Sequence, residues 1–394
     1  MEVKMVGDHP GRIRTLPNCP ACSSRALGPN VLAVIGLLTG GRAAAPWGLP
    51  AIRVTRLLNM SPSRLAPGKL STSLLAEILG EFGPAPPEVR VGPAVGEDAC
   101  AIEVERGVLI AATDPITFTG TDLGWLAAVV NANDVAVMGV RPRWFLAAVL
   151  LPTSTTADET RTLFATMRAA LTQLDVALVG GHTEVTPVVN RALVVGQMLG
   201  WTERERFVTT GGVGVGDVIV QVGSAPIEGA AVLALEAGAR LGGLDPQVLE
   251  HAIRATRVPG ISVVEAALAA TELGATALHD PTEGGLAAGL HELATAGHVG
   301  LRVDLAQVRW FEPGIAVCHA LGADPLATLA SGALLATFAP TRAFDAVRAL
   351  SERGHTAVVL GVAERGAGVH DTTGRTIPWP ERDEVARILS EAGE

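Results

Sequence analysis

Ala275-Thr276-Ala277-Leu278-His279-Asp280-Pro281-Thr282-Glu283-Gly284-Gly285-Leu286 is the stretch on which the reading of this chain turns. Residues 275–278 have strand character, Asp280-Pro281 stops the strand, and Thr282-Glu283-Gly284-Gly285 opens a helix near Leu286. Free N–H groups and the macrodipole make a helix start attractive to phosphate. Two carboxylates at the same place repel phosphate unless a divalent ion bridges them, as Mg2+ does between aspartate and phosphate oxygens. Thr282 or Asp280 acting as a helix cap is the plain alternative. A cap requires neither the double glycine nor the second carboxylate.

Outward from that junction, three more acidic signatures stand where apolar runs break: Gly96-Glu97-Asp98-Ala99, Thr113-Asp114 and Asn133-Asp134-Val135-Ala136. Asp98 is expected in a turn ahead of a strand at 101–104, and Asp114 at the end of a strand at 108–112, before Pro115. An aspartate in a turn is commonplace, and either one alone has a structural reading. Asn133 and Asp134 fall inside a mostly apolar helix expected over 122–138. A buried, unpaired carboxylate is costly there, so the pair either faces solvent or binds something, and binding is favoured. Gly180-Gly181-His182-Thr183-Glu184 follows a strand at 176–179. Its glycines permit close backbone approach to a ligand, with His182, Thr183 and Glu184 as polar contacts; a glycine-rich turn is the alternative. Together the signatures point to a magnesium–nucleotide site assembled from distant segments.

The rest of the chain supplies the frame. Helices are expected at 71–81, 158–174, 229–239, 263–273, 285–296 and 341–353, and strands at 145–151, 192–199, 217–222 and 333–338, with 358–363 closing a sheet. Alternation of strand and helix in both halves predicts an α/β (α+β) protein of two units divided near residue 206. Residues 1–59 are expected to be a disordered extension or a mis-assigned start, 60–205 an N-terminal domain, 206–380 a C-terminal domain and 381–394 a tail. Gly211-Gly212-Val213-Gly214-Val215-Gly216 precedes a strand instead of joining strand to helix, so it reads as a linker and not as a dinucleotide loop. No G-x-x-x-x-G-K-[ST] is present. Ser331-Gly332-Ala333 and Ile227-Glu228-Gly229-Ala230 read as structural junctions that also permit ligand contact. His291 and Glu292 are either surface or site residues.

Composition narrows the function. A net charge of −10 argues against a nucleic-acid surface. No apolar run reaches the roughly 18 residues that span a bilayer, so a soluble, cytoplasmic protein is expected. Residues 1–59 hold seven basic and two acidic residues, a net of +5, against −15 for the remainder; that shift marks a boundary. Cys19 and Cys22 form a lone C-x-x-C without a second ligand pair, and Cys100 and Cys318 are expected to be buried thiols.

In this order the segments resemble the superfamily of ATP-binding enzymes that includes aminoimidazole ribonucleotide synthetase, selenophosphate synthetase, thiamine-monophosphate kinase and the hydrogenase maturation protein HypE. The resemblance covers residues 65 to 379. Its best part is Asn133-Asp134-Val135-Ala136-Val137-Met138-Gly139-Val140-Arg141-Pro142, similar to the family's N-D-[LV]-A-x-M-G-[AV]-x-P, and the HypE-like, AIR synthase-related branch matches best. The resemblance implies a two-domain PurM-like fold, a homodimer whose N-terminal sheets join in a β-barrel, and ATP with Mg2+ along the cleft. It implies Asp98, Asp114, Asp134 and Asp280 as Mg2+ ligands. Lys69, Asn131, Gly181, His182, Thr183 and Gly284 become ATP contacts, and Glu283 lies near the phosphate end. His182 and His279 join Glu283 as catalytic candidates. The implied reaction is ATP-dependent phosphorylation of an amide or carboxyl-type oxygen on an unidentified small molecule or protein; the alternative is a non-catalytic maturation or scaffold protein. The Pro-Arg-Ile-Cys tail of the branch is not matched by Arg387-Ile388-Leu389-Ser390-Glu391-Ala392-Gly393-Glu394, so the self-modifying reaction of that cysteine is not expected.

Overall fold

Val89–Val91 (β1), Cys100–Val104 (β2), Gly107–Ile116 (β3), Pro142–Leu151 (β4), Ala177–Val185 (β5) and Leu193–Thr202 (β6) form a six-stranded sheet in the order β1-β2-β3-β6-β4-β5. The computed structural model describes residues 87–92, 94, 97–117, 122–203 and 207–391, with Ser73, all within the compact unit Leu65–Glu394. Residues 1–59 with Cys19 and Cys22, the expected helix at 71–81 apart from Ser73, Lys69 and Gly96 lie outside the described residues. In the sheet only β4 and β5 run parallel. The β2–β3 hairpin turns at Glu105-Arg106. Gly107 has φ 108, and a Cβ there would meet the Thr202 carbonyl oxygen at 2.2 Å, so glycine is required.

Helices Leu123–Ala136 (α1) and Ala157–Leu174 (α2) belong with this sheet. Every residue of α1 is buried, the mark of a helix surrounded by protein. Gly124 lets α2 approach, since a Cβ there would lie 2.1 Å from the Leu163 carbonyl oxygen. A reciprocal capping box of Thr156 and Glu159 starts α2. Arg257 clamps the head of α1: its guanidinium bonds both Asp122 oxygens at 2.7 Å and lies 3.6 Å from the Trp125 ring centre.

A second six-stranded sheet, in the order β12-β9-β11-β7-β10-β8, comprises Val218–Val222 (β7), Ala277–His279 (β8), Gly300–Val303 (β9), Leu334–Phe338 (β10), Ala357–Glu364 (β11) and Gly368–Asp371 (β12). Only β9 and β12 pair in parallel. Its helices are Glu228–Glu236 (α3), Pro246–Ile253 (α4), Val264–Glu272 (α5), Gly285–Ala296 (α6), Glu312–Leu321 (α7), Pro340–Glu352 (α8) and Glu384–Glu391 (α9). One apolar cluster runs from Ile110 and Phe145 through α1 into Val264 and Ala267 of α5 and Phe338 of β10, joining the sheets through a shared core. Val385 and Ile388 of α9, in the stretch read as a tail, pack with Leu233 of α3 and Val317 of α7.

The mixed α/β class stands, with sheets that are mainly antiparallel. Three local expectations are corrected. β3 continues through Asp114 to Ile116, so Asp114 lies within a strand. Gly180-Gly181-His182-Thr183-Glu184 is part of β5 and not a turn, because β4 pairs with it along its whole length. β11 lies inside its sheet and β12 forms the edge.

Candidate functional site

The β8–α6 junction sets the first half of the site. Gly284 (φ 82) and Gly285 (φ 66) both need positive φ, and a Cβ on Gly285 would meet the Leu326 and Thr328 carbonyl oxygens at 2.5 and 2.7 Å. Only glycine lets α6 begin there. Its capping residue, Gly284, offers no side chain. Asp383, 99 residues downstream, supplies the missing acceptor: Gly284 N–H donates to its Oδ2 at 2.7 Å, and Val385 N–H to its Oδ1 at 2.7 Å. The helix start expected to face phosphate thus already meets a carboxylate.

Glu228, at the start of α3, is buried. Burial raises its carboxyl to about 7, the Ser331 hydroxyl opposes the rise, and the charges of Asp114, Asp383 and Glu283 add to it. Asp383 is likewise raised to about 7, first by burial, against the pull of the Gly284 and Val385 N–H groups and with Glu283 and Glu384 adding to the rise. Asn131 fixes Asp114: its amide accepts from the Asp114 N–H at 2.8 Å and donates to the Asp114 carbonyl at 3.1 Å. Asp134 stands one helical turn beyond Asn131, on the same side of α1, and is buried. Asp114, Glu283 and Asp383 thus lie near enough to Glu228 for their charges to act on it, and the four are termed the acidic arc.

The second half is a bridge of opposite charges. His279, at the end of β8, is almost fully buried, with Nδ1 2.7 Å from Asp98 Oδ2 and Nε2 2.9 Å from Glu292 Oε2. Burial alone would lower its pKa. The two carboxylates outweigh burial and hold the ring well above the ordinary histidine value, as an imidazolium. Asp280 follows it and is 1% exposed. Beside Asp98, the Glu97 carboxyl is raised by burial and by the Asp98 charge, with the Gly211 backbone and His279 opposing. Glu97 Oε2 is buried without a hydrogen-bond partner among the described residues. Glu97 and Asp98 end a cleft of about 610 Å³ that runs over the sheet past Cys100, Thr113, Leu146 and Gln197.

Some expected site residues take other duties. Asn133 neither faces solvent nor waits for a ligand: it donates to the Ile261 carbonyl at 2.9 Å and accepts from Val263 N–H at 2.9 Å, tying α1 to the approach of α5. Asn131 is fully buried with its amide spent on Asp114 and the Ala127 carbonyl. It positions Asp114. His279, bonded at both nitrogens, has none left for proton transfer while the bridge holds. His182, Thr183 and Gly181 lie on exposed β5, where His182 Nε2 is 3.2 Å from Glu184 Oε2. Four strand spacings separate β5 from β2, about 19 Å along the sheet at roughly 4.8 Å each, so one protomer does not bring His182 to His279. His291 donates to or accepts from no carboxylate; its Nε2 meets the Ile377 carbonyl at 2.8 Å and its ring stacks on Trp379.

Among the described residues no three His, Cys, Asp or Glu side chains stand close enough to enclose a metal ion by themselves. Mg2+ is commonly held by one or two carboxylates with phosphate oxygens and water completing its shell. The buried Glu97 oxygen and the all-carboxylate donor set fit such an ion arriving with a nucleotide. Sequence reasoning passed over Glu228 as a structural junction, left Glu292 open and gave no role to Glu97 or Asp383. Only Glu228 carried a local signal, a carboxylate between an apolar residue and a glycine at a helix start.

Residues 96–202 match the model of the AIR synthase related protein N-terminal domain, and residues 214–372 that of the C-terminal domain. The carbamoyl dehydratase HypE of Rhodobacter capsulatus is 31% identical over 335 residues, covering 78% of this chain and 90% of that protein. The hydrogenase expression/formation protein HupE of Azotobacter chroococcum is 30% identical, covering 74% and 88%. Among solved structures, HypE in complex with ATP superposes with a TM-score of 0.61 at 24% identity, over 82% of this chain and 98% of that one. Thiamine monophosphate kinase from Aquifex aeolicus gives 0.60 at 19%, over 77% and 97%. At these identities the structures show a shared fold.

Proposed function

Because the chain belongs to the AIR synthase related family, in its HypE-like branch, we propose that it is an ATP- and Mg2+-dependent enzyme that activates an amide or carboxyl-type oxygen by phosphorylation. The observation that carries this reading is the acidic arc. Carboxyls withdrawn from water within reach of further negative charge suit a metal–triphosphate site, and a lone structural cap does not need them. Asp98, Asp114, Asp134 and Asp280 would hold Mg2+, which neutralises phosphate charge when bound. Lys69, Gly181, His182 and Thr183 are the proposed nucleotide contacts, with Glu283 at the phosphate end; the Gly284 N–H is already held by Asp383. Asn131 acts through Asp114, and the His279 bridge holds Asp98 in place.

In the reaction, the acceptor oxygen bonds to the γ-phosphorus, the bond to the β,γ-bridging oxygen breaks, and ADP leaves with that electron pair. Glu228 takes the proton that an amide acceptor releases. A carboxyl group whose pKa lies near neutrality suits that task. The acceptor is a small molecule or a protein group.

The proposed assembly is a homodimer in which β5 is covered by a second copy. Support comes from Leu178, Val179 and Val185, which are 51%, 54% and 60% exposed on this edge strand; an apolar edge of this kind invites pairing. Pairing there would carry His182 and Thr183 toward the partner's cleft.

The test is ATP turnover with Mg2+, with and without EDTA, in wild type and in Asp134→Ala and Asp280→Ala. Loss of turnover on chelation and in both variants is expected. Undiminished turnover in both variants would end the metal-ligand assignment.

A further inference from the structure

A second cavity, of about 320 Å³, opens where β7 ends and β11 begins. Its polar lining comes from Ser224, Ser262, Arg309, His355 and Thr356, with the Trp310 ring among its walls. Among the described residues none that lines it is acidic, in a chain whose net charge is −10. Arg309 has no carboxylate partner among the described residues, whereas Arg141, Arg257, Arg353 and Arg387 are all paired. His355 is half-buried. Burial lowers its pKa, Glu265 opposes that and Arg353 adds to it, so the neutral ring brings an N–H donor and no fixed charge. Ile227 and Val263, which immediately precede α3 and α5, are also in the lining.

The cavity also adjoins the acidic arc. Ile227 and Gly332 line it; Glu228 of the arc follows Ile227 in the chain, and Ser331, whose hydroxyl acts on Glu228, precedes Gly332. Gly332 (φ 103) keeps the partition thin: a Cβ there would touch Ile227 Cδ1 at 3.0 Å and the Gly260 carbonyl oxygen at 3.2 Å.

We propose that this cavity binds the oxyanion end, carboxylate or phosphate, of a small organic acceptor and presents the acceptor's amide or carboxyl oxygen to the nucleotide site. The assignment of the occupant as acceptor rests on the phosphoryl-transfer reading above; the oxyanion site itself does not. A volume of this size lies at the small end of the range for metabolite pockets, about 300–1,000 Å³. Trp310, Pro259 and Val263 give the organic part an apolar wall.

The test is a calorimetric titration of the full chain with inorganic phosphate and, separately, with acetate, in wild type, Arg309→Gln and Asp280→Asn. Mg2+-dependent ATP binding is measured on the same three proteins. A charge-assisted hydrogen bond is worth about 1.5–3 kcal/mol, so Arg309→Gln is expected to weaken the oxyanion at least about tenfold. ATP affinity should stay within about twofold in that variant, since it leaves the arc intact. Asp280→Asn should do the reverse. The two probes tell carboxylate from phosphate preference. Wild type that binds neither at about 20 mM, or oxyanion binding unaffected by Arg309→Gln, or oxyanion binding lost only in Asp280→Asn, overturns the cavity's assignment. Oxyanion binding lost in Arg309→Gln, with ATP binding indifferent to Asp280→Asn, supports the cavity and refutes the nucleotide reading instead.

Discussion

Two groups of buried carboxylates sit in this unit under opposite electrostatics. Asp98 and Glu292 grip His279 from both sides, and the three charges compensate one another. Glu228 and Asp383 are withdrawn from water as well, yet the charges that act most on Glu228 are Asp114, Asp383 and Glu283, all negative. The compensated group explains itself: it joins the approach of β2 to β8 and α6, linking the two sheets. In the second group burial is the main cause of the raised values and neighbouring negative charge adds to it, an environment that a bound cation would relieve. Burial alone therefore says little about function; the sign of a carboxylate's neighbours says more.

The comparison is tested most strongly at its two centres. Glu228→Gln should lower ATP-dependent turnover about 100-fold or more, within the range for loss of a positioned acid or base, while its melting temperature at pH 8 holds or rises. A fall in both would make Glu228 a structural residue. His279→Leu should do the opposite. It leaves two buried carboxylates without their cation, a change that costs about 3–5 kcal/mol by the precedent of broken buried pairs. Urea unfolding measures it, and a loss below about 1 kcal/mol would show that the bridge is solvated.

Asn133→Ala is a smaller step and separates packing from binding on α1. Two buried hydrogen bonds to the Ile261 and Val263 backbone disappear, for about 2–3 kcal/mol of stability, with ATP affinity unchanged. A specific drop in ATP affinity would return Asn133 to the site.

Stability against pH should divide the groups again. A folded carboxyl raised from 4.5 to about 7, as at Glu228, keeps its proton where the unfolded chain has lost it. The folded state then binds more protons, so stability falls as pH rises through that window. His279 acts above it: its contribution is complete below 6.5, the unfolded value, and is lost as pH climbs through the higher folded value. Melting curves should therefore lose part of their lower slope in Glu228→Gln, Asp383 keeping its own share, and keep their upper one. An unchanged lower slope would mean that Glu228 ionises normally.

Much of the frame was legible because single segments carried it. Thr282-Glu283-Gly284-Gly285 announces a helix start, and α6 begins at Gly285 as expected. The apolar length of 122–138 announces α1. What failed was decided by distant partners. Gly180-Gly181 looks like a turn by local chemistry, yet a Cβ on Gly181 (φ 145) would strike the Ala147 carbonyl oxygen at 2.2 Å; these glycines serve close pairing with β4. Asn131 and Asn133 look like ligand contacts until Asp114, Ile261 and Val263 claim their amides. Asp383 reaches Gly284 across 99 residues and Asp98 reaches His279 across 181, separations that no local pattern encodes. Asp98, Asp114, Asp134 and Asp280 could be proposed from sequence, and the side chains that pack beside them could not.

The central claim is that the scattered aspartates share a divalent ion with a triphosphate. Crystals grown with Mn2+ and a non-hydrolysable ATP analogue test it through the anomalous signal of the metal. The account predicts Mn2+ at coordination distance, about 2.1 Å, from at least two carboxylates among Asp98, Asp114, Asp134 and Asp280. Metal held only by phosphate and water, or a nucleotide bound away from the acidic arc, would contradict it.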